Sequence, residues 1–178
     1  MNAKARPSPL HNSSDSLVDE KGRRYKTVAT GGTFDRLHLG HEALLSKSFE
    51  AGEKVVIGVT SDEFALKEGK RPEQRYQDRV KALREHLDKT YPSHAYAISK
   101  LDDYFGPGIA SPDVEAIVVS SETAKRVELA NRLRAAKGYP PLKVITVDFV
   151  LAEDGRPISS TRIRSGEIDE AGRVLKRS

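Results

Sequence analysis

The sequence predicts an α/β fold in which helices cover both faces of one five-stranded, mostly parallel sheet. Three observations support this fold class. Five short runs are rich in β-branched residues, helical patterns separate them, and the length of 178 residues suits a single domain. Strands that alternate with helices favour right-handed βαβ crossovers, and such sheets bind ligands beyond the carboxyl ends of their strands.

Each element has a recognisable pattern. In helix 73–90, Tyr76, Val80, Leu83 and Leu87 recur at spacings of 4, 3 and 4, which places them on one helix face. The predicted strands are 25–30, 54–60, 94–99, 115–120 and 142–150; the other predicted helices are 41–51 and 121–137, and 159–175 is predicted as two short helical pieces. In this order the elements form a Rossmann-like arrangement.

The amino-terminal residues differ from the rest of the chain. Residues 1–24 mix Pro, Ser, Asn and charged residues with almost no apolar periodicity, so we expect a flexible extension before a domain at 25–178. Asp15, Asp19 and Glu20 argue against an organelle transit peptide, which is usually poor in acidic residues.

The composition excludes several classes of protein. Without Cys there are no disulfides, Cys-based zinc sites or thiol nucleophiles. No apolar run approaches the roughly 20 residues of a membrane span, so we expect a cytoplasmic protein without membrane association. The net charge of +4 arises from 30 basic and 26 acidic residues, aromatic residues make up 6% and Trp is absent, so we expect no nucleic-acid partner.

A glycine-rich motif, GGTFDRLHLGH at 31–41, follows the first strand and leads into a helical pattern. Its glycines allow a tight turn, and Thr33 offers a hydroxyl group at the end of the strand. His38 and His41 lie near the start of the helix, where free N–H groups already favour an anion. A zinc site would need a third ligand, which the remaining histidines are not placed to supply. The motif therefore predicts a phosphate-binding site.

A second motif, AEDGRPISSTRIRSGEID, spans 152–169. Ser159, Ser160 and Thr161 place hydroxyl groups at the predicted start of a short helix, and Arg162 and Arg164 add positive charge. Taken alone, it could equally be a helix cap with solvent-facing arginines. Together with the first motif, it predicts a second part of an anion site.

These two motifs resemble those of the nucleotidyltransferase superfamily whose first motif reads His-x-Gly-His. Four segments in order are similar to the archaeal phosphopantetheine adenylyltransferases: GGTFDRLHLGHEALL, VVIGVTSDEF (55–64), VVSSET (118–123) and EDGRPISSTRIRSGEID. The resemblance covers about residues 25–170. It implies that AMP is transferred from ATP to 4′-phosphopantetheine, giving dephospho-coenzyme A and pyrophosphate in coenzyme A synthesis.

The resemblance also implies residue roles. Thr33 would lie between the acceptor phosphate and the ATP α-phosphate, with Phe34 at the nucleotide. His38 and His41 would be catalytic and bind the ATP phosphates. The remaining residues implied for ATP binding are Asn131, Ile158, Ser159, Ser160, Thr161 and Arg162.

The site for the acceptor phosphate is less defined. Bacterial relatives carry Arg-Gly-x-x-Arg after the fourth strand, whereas this chain reads Ser-Ser-Glu-Thr at 120–123. The candidate cations are Lys67, Lys70 and Arg71, with Lys67 favoured because it directly follows SDEFAL. Weaker candidates are Arg126 and Arg134.

The implied chemistry is a direct in-line attack by an acceptor phosphate oxygen on the α-phosphorus, which requires positioning and charge stabilisation. Mg²⁺ is expected to accompany ATP. The expected partners are ATP, 4′-phosphopantetheine, and dephospho-coenzyme A or coenzyme A. The alternatives are an adenylyltransferase for nicotinamide or flavin mononucleotide, a cytidylyltransferase, or a non-catalytic nucleotide- or RNA-binding module. The nicotinamide enzymes usually read GRFQPxHxGH, unlike this chain.

Overall fold

A computed structural model describes residues 17–22, 24–104, 106 and 110–175. Its sheet contains five parallel strands in the order β3-β2-β1-β4-β5, which confirms the predicted fold class. The strands are β1 (Tyr25–Gly32), β2 (Gly52–Thr60), β3 (Ala95–Leu101), β4 (Ala116–Ser120) and β5 (Lys143–Val147). The helices that we number are α1 (Leu39–Ala51), α2 (Asp62–Lys67), α3 (Tyr76–Thr90), α4 (Ser121–Ala136) and α5 (Ser160–Arg164).

The strand order locates the functional edge of the sheet. From β1 the chain builds outward through β2 and β3, then returns to the other side of β1 to form β4 and β5. The order therefore reverses between β1 and β4, and a crevice opens at the carboxyl ends of these two strands. Both sequence motifs follow the carboxyl ends of strands: the first comes after β1, and the second after β5.

Apolar side chains on both faces of the sheet form the core. On one face Ile57 and Val59 pack with Phe49, Leu83 and Leu87, which α1 and α3 supply. On the opposite face Ala29, Ile117 and Val119 pack with Val127 of α4. Because the parallel strands are covered on both faces, they read as short β-branched runs rather than as alternating patterns. No helix in the described part of the chain is long and apolar enough to cross a membrane.

The structure differs from the predicted secondary structure in three places. The six residues of α2 were not predicted, because a helix this short contains too few turns to show an apolar period. Residues 159–175 contain one short helix, α5, instead of the two that were predicted. Beyond it Gly166 and Gly172 have φ of 71° and 80°, and Ile168 forms an antiparallel bridge with Val174. β5 also ends at Val147, three residues before the predicted end.

The amino-terminal segment meets the domain before β1 begins. Leu17 packs against the apolar cluster around Tyr25, and the Tyr25 hydroxyl donates to the Val18 carbonyl at 3.0 Å. Arg24 donates to the carbonyls of Phe49 and Gly52, at the end of α1. These residues belong to the predicted extension, yet they contact the core. The rest of that prediction, for 1–16 and for residue 23, lies outside the described residues.

Candidate active site

The turn that follows β1 carries Thr33 to the carboxyl edge of the sheet. The Thr33 hydroxyl oxygen is buried and has no hydrogen-bond partner among the residues that the structure describes, and Thr33 lines two neighbouring cavities. Phe34 and Arg36 have φ of 52° and 53°. Left-handed backbone at a residue other than glycine costs on the order of 1–3 kcal/mol. The turn therefore keeps its shape because surrounding groups hold it.

Asp35 is one of these groups. Its carboxylate is buried and accepts hydrogen bonds from the backbone N–H groups of Glu73 and Gln74 at 3.1 and 3.0 Å. The carboxylate also accepts a hydrogen bond from Arg164 at 2.7 Å. A buried carboxylate with three donors is well satisfied, so Asp35 acts as a fixed anchor beneath the site.

His38 caps the amino end of α1. Its Nδ1 accepts from the Gly40 N–H at 3.1 Å, which places the proton of the neutral ring on Nε2. Burial lowers the pKa of His38 to about 4, and the Glu170 carboxylate opposes part of this shift. Gly40 allows the close approach, since a Cβ there would lie 3.0 Å from the His38 ring. His38 is therefore an uncharged donor at neutral pH.

The ring of His41 stacks on that of His38, with centroids 3.9 Å apart, and lies 5.1 Å from the Phe34 ring. Its Nδ1 is buried without a partner among the described residues. Burial, reinforced by His38 and Lys70, holds the pKa of His41 well below its usual value. Both motif histidines are thus neutral and carry ring nitrogens available to a ligand.

The second motif joins the first through short hydrogen bonds. Ser159 caps α5 by accepting from the Arg162 N–H at 3.3 Å. The Ser160 hydroxyl donates to the Asp35 carbonyl at 2.6 Å, and Arg164 binds the Asp35 carboxylate. Two segments about 125 residues apart in sequence thereby form one surface.

A cavity lies between the two motifs, and we call it the phosphate cavity. Both motif histidines line it, together with the start of α4 and residues 147–150 after β5. Its donors include uncharged imidazoles, hydroxyl groups and the guanidinium of Arg164, a set that suits phosphate oxygens. The motif residues on its wall are Gly31, Gly32, Thr33, Asp35, His38, Gly40, His41, Ile158, Ser159, Ser160, Thr161 and Arg164.

A second cavity, which we call the apolar cavity, adjoins the first between α2 and α4. Most of its wall is apolar, with Phe64, Leu101, Ile117 and Val119 among its lining residues. The two cavities share part of their walls. The shared residues are Gly31, Gly32, Thr33, Lys70 and Thr123.

Among the candidate cations, Lys70 lines both cavities, whereas Lys67 and Arg71 line neither. Arg126 lines the apolar cavity, where its guanidinium lies 4.6 Å from the Tyr104 ring centroid and 3.6 Å from Glu68. The preference for Lys67 is therefore not supported by the geometry, because the short helix α2 turns Lys67 toward solvent.

Three residues expected at ATP lie elsewhere. The Phe34 ring is fully buried in the core beneath His41. Arg162 faces the loop before α5 and binds Asp154 and Glu167. Asn131 lies far along α4, where its amide exchanges hydrogen bonds of 2.8 and 3.2 Å with the backbone of Leu142 at the start of β5. The polar atoms of Asn131 therefore join α4 to the sheet at the end opposite the two motifs.

Arg134 also lies at that opposite edge. Its guanidinium is buried and donates to the backbone carbonyls of Ser111, Val114 and Pro140. These bonds connect the end of α4 to the segments that precede β4 and β5, far from either motif. Arg134 is thereby removed from the acceptor-site candidates.

Sequence reasoning did not identify Asp35 or Arg79 as site residues. Arg79 is fully buried and donates to the Thr33 carbonyl. The available signal was weak: Asp35 lies inside the first motif, and Arg79 lies next to the apolar stripe of α3. The sequence indicates positive charge at both Arg162 and Arg164, whereas the resemblance implies only Arg162 at ATP.

The comparisons with known proteins agree with this geometry. A family model described as cytidylyltransferase-like matches residues 29–166. The phosphopantetheine adenylyltransferase of Methanothermobacter thermautotrophicus is 49% identical over 156 residues, covering 87% of this chain and 93% of that protein. The protein of the same name from Methanopyrus kandleri is 46% identical over 147 residues, covering 83% and 93%. A solved structure from Archaeoglobus fulgidus, of unknown function, has a TM-score of 0.62 at 30% identity and covers 68% of this chain and 89% of that one.

Proposed function

Because this chain belongs to the cytidylyltransferase-like family, we propose that it is a phosphopantetheine adenylyltransferase. It transfers AMP from ATP to 4′-phosphopantetheine, giving dephospho-coenzyme A and pyrophosphate. Relatives with this name match more than four fifths of the chain, which makes this activity the best supported within the family.

One observation carries the proposal: the phosphate cavity and the apolar cavity meet at Thr33. A reaction between two phosphates needs both of them at one point, with the rest of each substrate on opposite sides. An elongated, largely uncharged acceptor arm suits the apolar cavity, and a triphosphate suits the other. The Thr33 hydroxyl then lies beside the point where the two phosphates meet and contacts both. The acceptor oxygen attacks the α-phosphorus directly as pyrophosphate leaves from the opposite side, without a covalent intermediate.

On the ATP side, the triphosphate lies between the start of α1 and the start of α5. The hydroxyl groups of Ser159 and Thr161 and the guanidinium of Arg164 face this space and supply donors to its oxygens. The Nε2–H of His38 donates to an α-phosphate oxygen as negative charge builds there. Because the capping hydrogen bond at the start of α1 already holds the His38 ring, this donor stabilises the transition state without having to reorganise.

On the acceptor side, Lys70 holds the attacking phosphate. It is the candidate cation on the wall that the two cavities share. No general base is required, because a phosphate monoester is already largely dianionic at neutral pH. Arg126 lies farther into the apolar cavity and interacts with the acceptor beyond its phosphate.

Mg²⁺ is proposed to reach the site with ATP. Within the described residues no three His, Cys, Asp or Glu side chains converge to form a metal site, and the Asp35 carboxylate already binds three donors. This donor set fits an ion held mainly by triphosphate oxygens and water. When bound, the ion neutralises charge on the triphosphate.

The proposal is tested by following pyrophosphate release from the purified protein. ATP is mixed in turn with 4′-phosphopantetheine, nicotinamide mononucleotide and flavin mononucleotide, and CTP with glycerol 3-phosphate. We expect release only with ATP and 4′-phosphopantetheine, with dephospho-coenzyme A identified by mass. The proposal would be overturned if nicotinamide mononucleotide were the only acceptor that gave product. It would also be overturned if the protein bound ATP but turned over with no acceptor.

A further inference from the structure

Arg79, on the first turn of α3, is buried with 0% exposure, although it carries a permanent charge. Burying a guanidinium is costly unless all of its donors are satisfied. Here each of its three nitrogens has a partner: Nε donates to the Gln74 carbonyl at 3.1 Å, and one terminal nitrogen donates to both the Thr60 carbonyl and Asp62 at 2.8 Å. The other terminal nitrogen donates to the Thr33 carbonyl at 2.5 Å.

These partners lie at the functional edge of the sheet. Thr60 ends β2, and Thr33 follows β1 by one residue. One planar group therefore fixes the carboxyl ends of two adjacent strands at the wall shared by the two cavities. Asp62 balances the charge from the first turn of α2, with its other oxygen accepting the Tyr76 N–H at 3.1 Å.

The turn held by Arg79 would otherwise relax. Phe34 and Arg36 are both in the left-handed region, and Thr33 immediately precedes them. Gln74, the third backbone partner, donates its N–H to the Asp35 carboxylate at 3.0 Å. Arg79 thus supports the strained turn both directly at Thr33 and indirectly through Gln74.

We infer that Arg79 is a positioning residue for adenylyl transfer: it sets the place of Thr33 between the two reacting phosphates while touching neither substrate. The inference rests on the proposed function and deepens it. Because a displacement of about 1 Å at a reacting centre can cost roughly 100-fold in rate, loosening this anchor lowers kcat more than it weakens ATP binding.

Arg134 provides a matched control. It is the other fully buried arginine in the described part of the chain, and its donors are likewise satisfied by backbone carbonyls, but at the opposite edge of the sheet. Arg79→Lys and Arg134→Lys each keep the charge and lose the planar fork of donors. A purely structural role would give the two variants the same pattern.

The experiment measures urea unfolding, KM for ATP and kcat of dephospho-coenzyme A formation for both variants. Both should lose stability. For Arg79→Lys we expect kcat to fall roughly 10- to 100-fold, with KM for ATP within about threefold, while Arg134→Lys keeps kcat within about twofold. Combined with Thr33→Val, Arg79→Lys should lower kcat by less than the product of the two single effects.

Equal kcat in the two lysine variants, or fully multiplicative losses with Thr33→Val, would overturn the inference. If Arg79→Lys does not fold, Asp62→Ala replaces it: Asp62 is 40% exposed, and alanine removes one hydrogen-bond acceptor of Arg79 together with its counter-charge. Unchanged kcat in a folded Asp62→Ala protein would then overturn the inference. If the wild-type protein forms no product, the proposed function itself is overturned. If the wild type is active and the variants are unaffected, only the inference about Arg79 is overturned.

Discussion

His38 and His41 contribute hydrogen-bond donors rather than positive charge, because burial keeps both rings neutral at neutral pH. The tautomer of His38 is set within its own helix turn by the Gly40 N–H. Its Nε2–H is therefore oriented before a ligand binds. Lys70 and Arg164 supply the fixed charge around them.

Replacing His38 should remove transition-state stabilisation. We expect His38→Ala to lower kcat by about 100- to 1,000-fold, the usual cost of one donor to a developing anion, while ATP still binds. Steady-state kinetics and calorimetric titration with ATP measure the two effects.

Alanine also removes the cap of α1, and His38→Asn separates the two roles, because asparagine is a good cap. We expect the asparagine variant to recover stability but not kcat. Full turnover in either variant would remove His38 from the mechanism.

Lys70 and Lys67 offer a test of the acceptor site, since Lys67 ends α2, Lys70 follows it by three residues, and only Lys70 lines the two cavities. We expect Lys70→Ala to raise KM for 4′-phosphopantetheine about tenfold or more, the scale of a lost hydrogen bond to a charged group. Lys67→Ala should change it by less than about twofold. The reverse result in the same initial-rate assay would return Lys67 to the site.

Single residues show where sequence reasoning stops. Thr33, His38, His41 and Ser159 were predicted at the phosphate cavity because their motif fixes them locally. The resemblance implies Arg162 at ATP, whereas the structure places Arg164 on the wall of the phosphate cavity, because residues two apart on a helix point in nearly opposite directions. The sequence alone does not tell which of the two arginines faces Asp35.

The sheet and the longer helices could be predicted, because 5–9 residue β-branched runs and multi-turn apolar stripes are strong local signals. α2 could not. Its only sequence signal is one serine before two acidic residues, which is a weak sign of a helix start. In the structure the Ser61 hydroxyl accepts a hydrogen bond from the Phe64 N–H at 3.1 Å. This short helix carries Phe64 and Ala65 to the wall of the apolar cavity.

Ser61 should therefore matter more than its size suggests. We expect Ser61→Ala to lower the free energy of unfolding by about 1–2 kcal/mol, because the side chain is buried and caps α2. Ser120 precedes α4 and makes no cap bond to the helix backbone, although its hydroxyl lies 3.0 Å from that of Thr123. Ser120→Ala should cost less than about 0.5 kcal/mol. Urea denaturation compares the two, and equal losses would contradict a specific cap at α2.

Over the whole molecule, distant segments complete the site. Asp35 joins the first motif to residues 73–74 and to the second motif, and Arg79 joins the ends of two strands through the start of α3. A single sequence predicts each segment but not these pairings, because nothing local links Asp35 to Arg164. The site is thus a property of the complete fold.

The burial of His38 and His41 predicts how the stability of the protein depends on pH. The unfolded chain binds protons on both motif histidines near pH 6.5, whereas the folded chain excludes them, so the free energy of unfolding falls as the pH is lowered below 6.5. For His38, a pKa lowered to about 4 corresponds to a loss of about 2 kcal/mol between pH 6.5 and 5. His41 adds to the loss in the same direction.

Urea denaturation at several pH values between 7 and 5 measures this slope. His38→Asn should flatten it, because the variant has one fewer group to titrate. Ser159→Ala, which removes the cap of α5, should lower stability by about 1 kcal/mol at every pH and leave the slope unchanged. The window stays above pH 5 because Asp62 and Asp154, whose pKa values are lowered by arginine partners, contribute only at more acidic pH. The same slope in wild type and His38→Asn would show that folding does not lower the pKa of His38, and would contradict a ring kept neutral by burial.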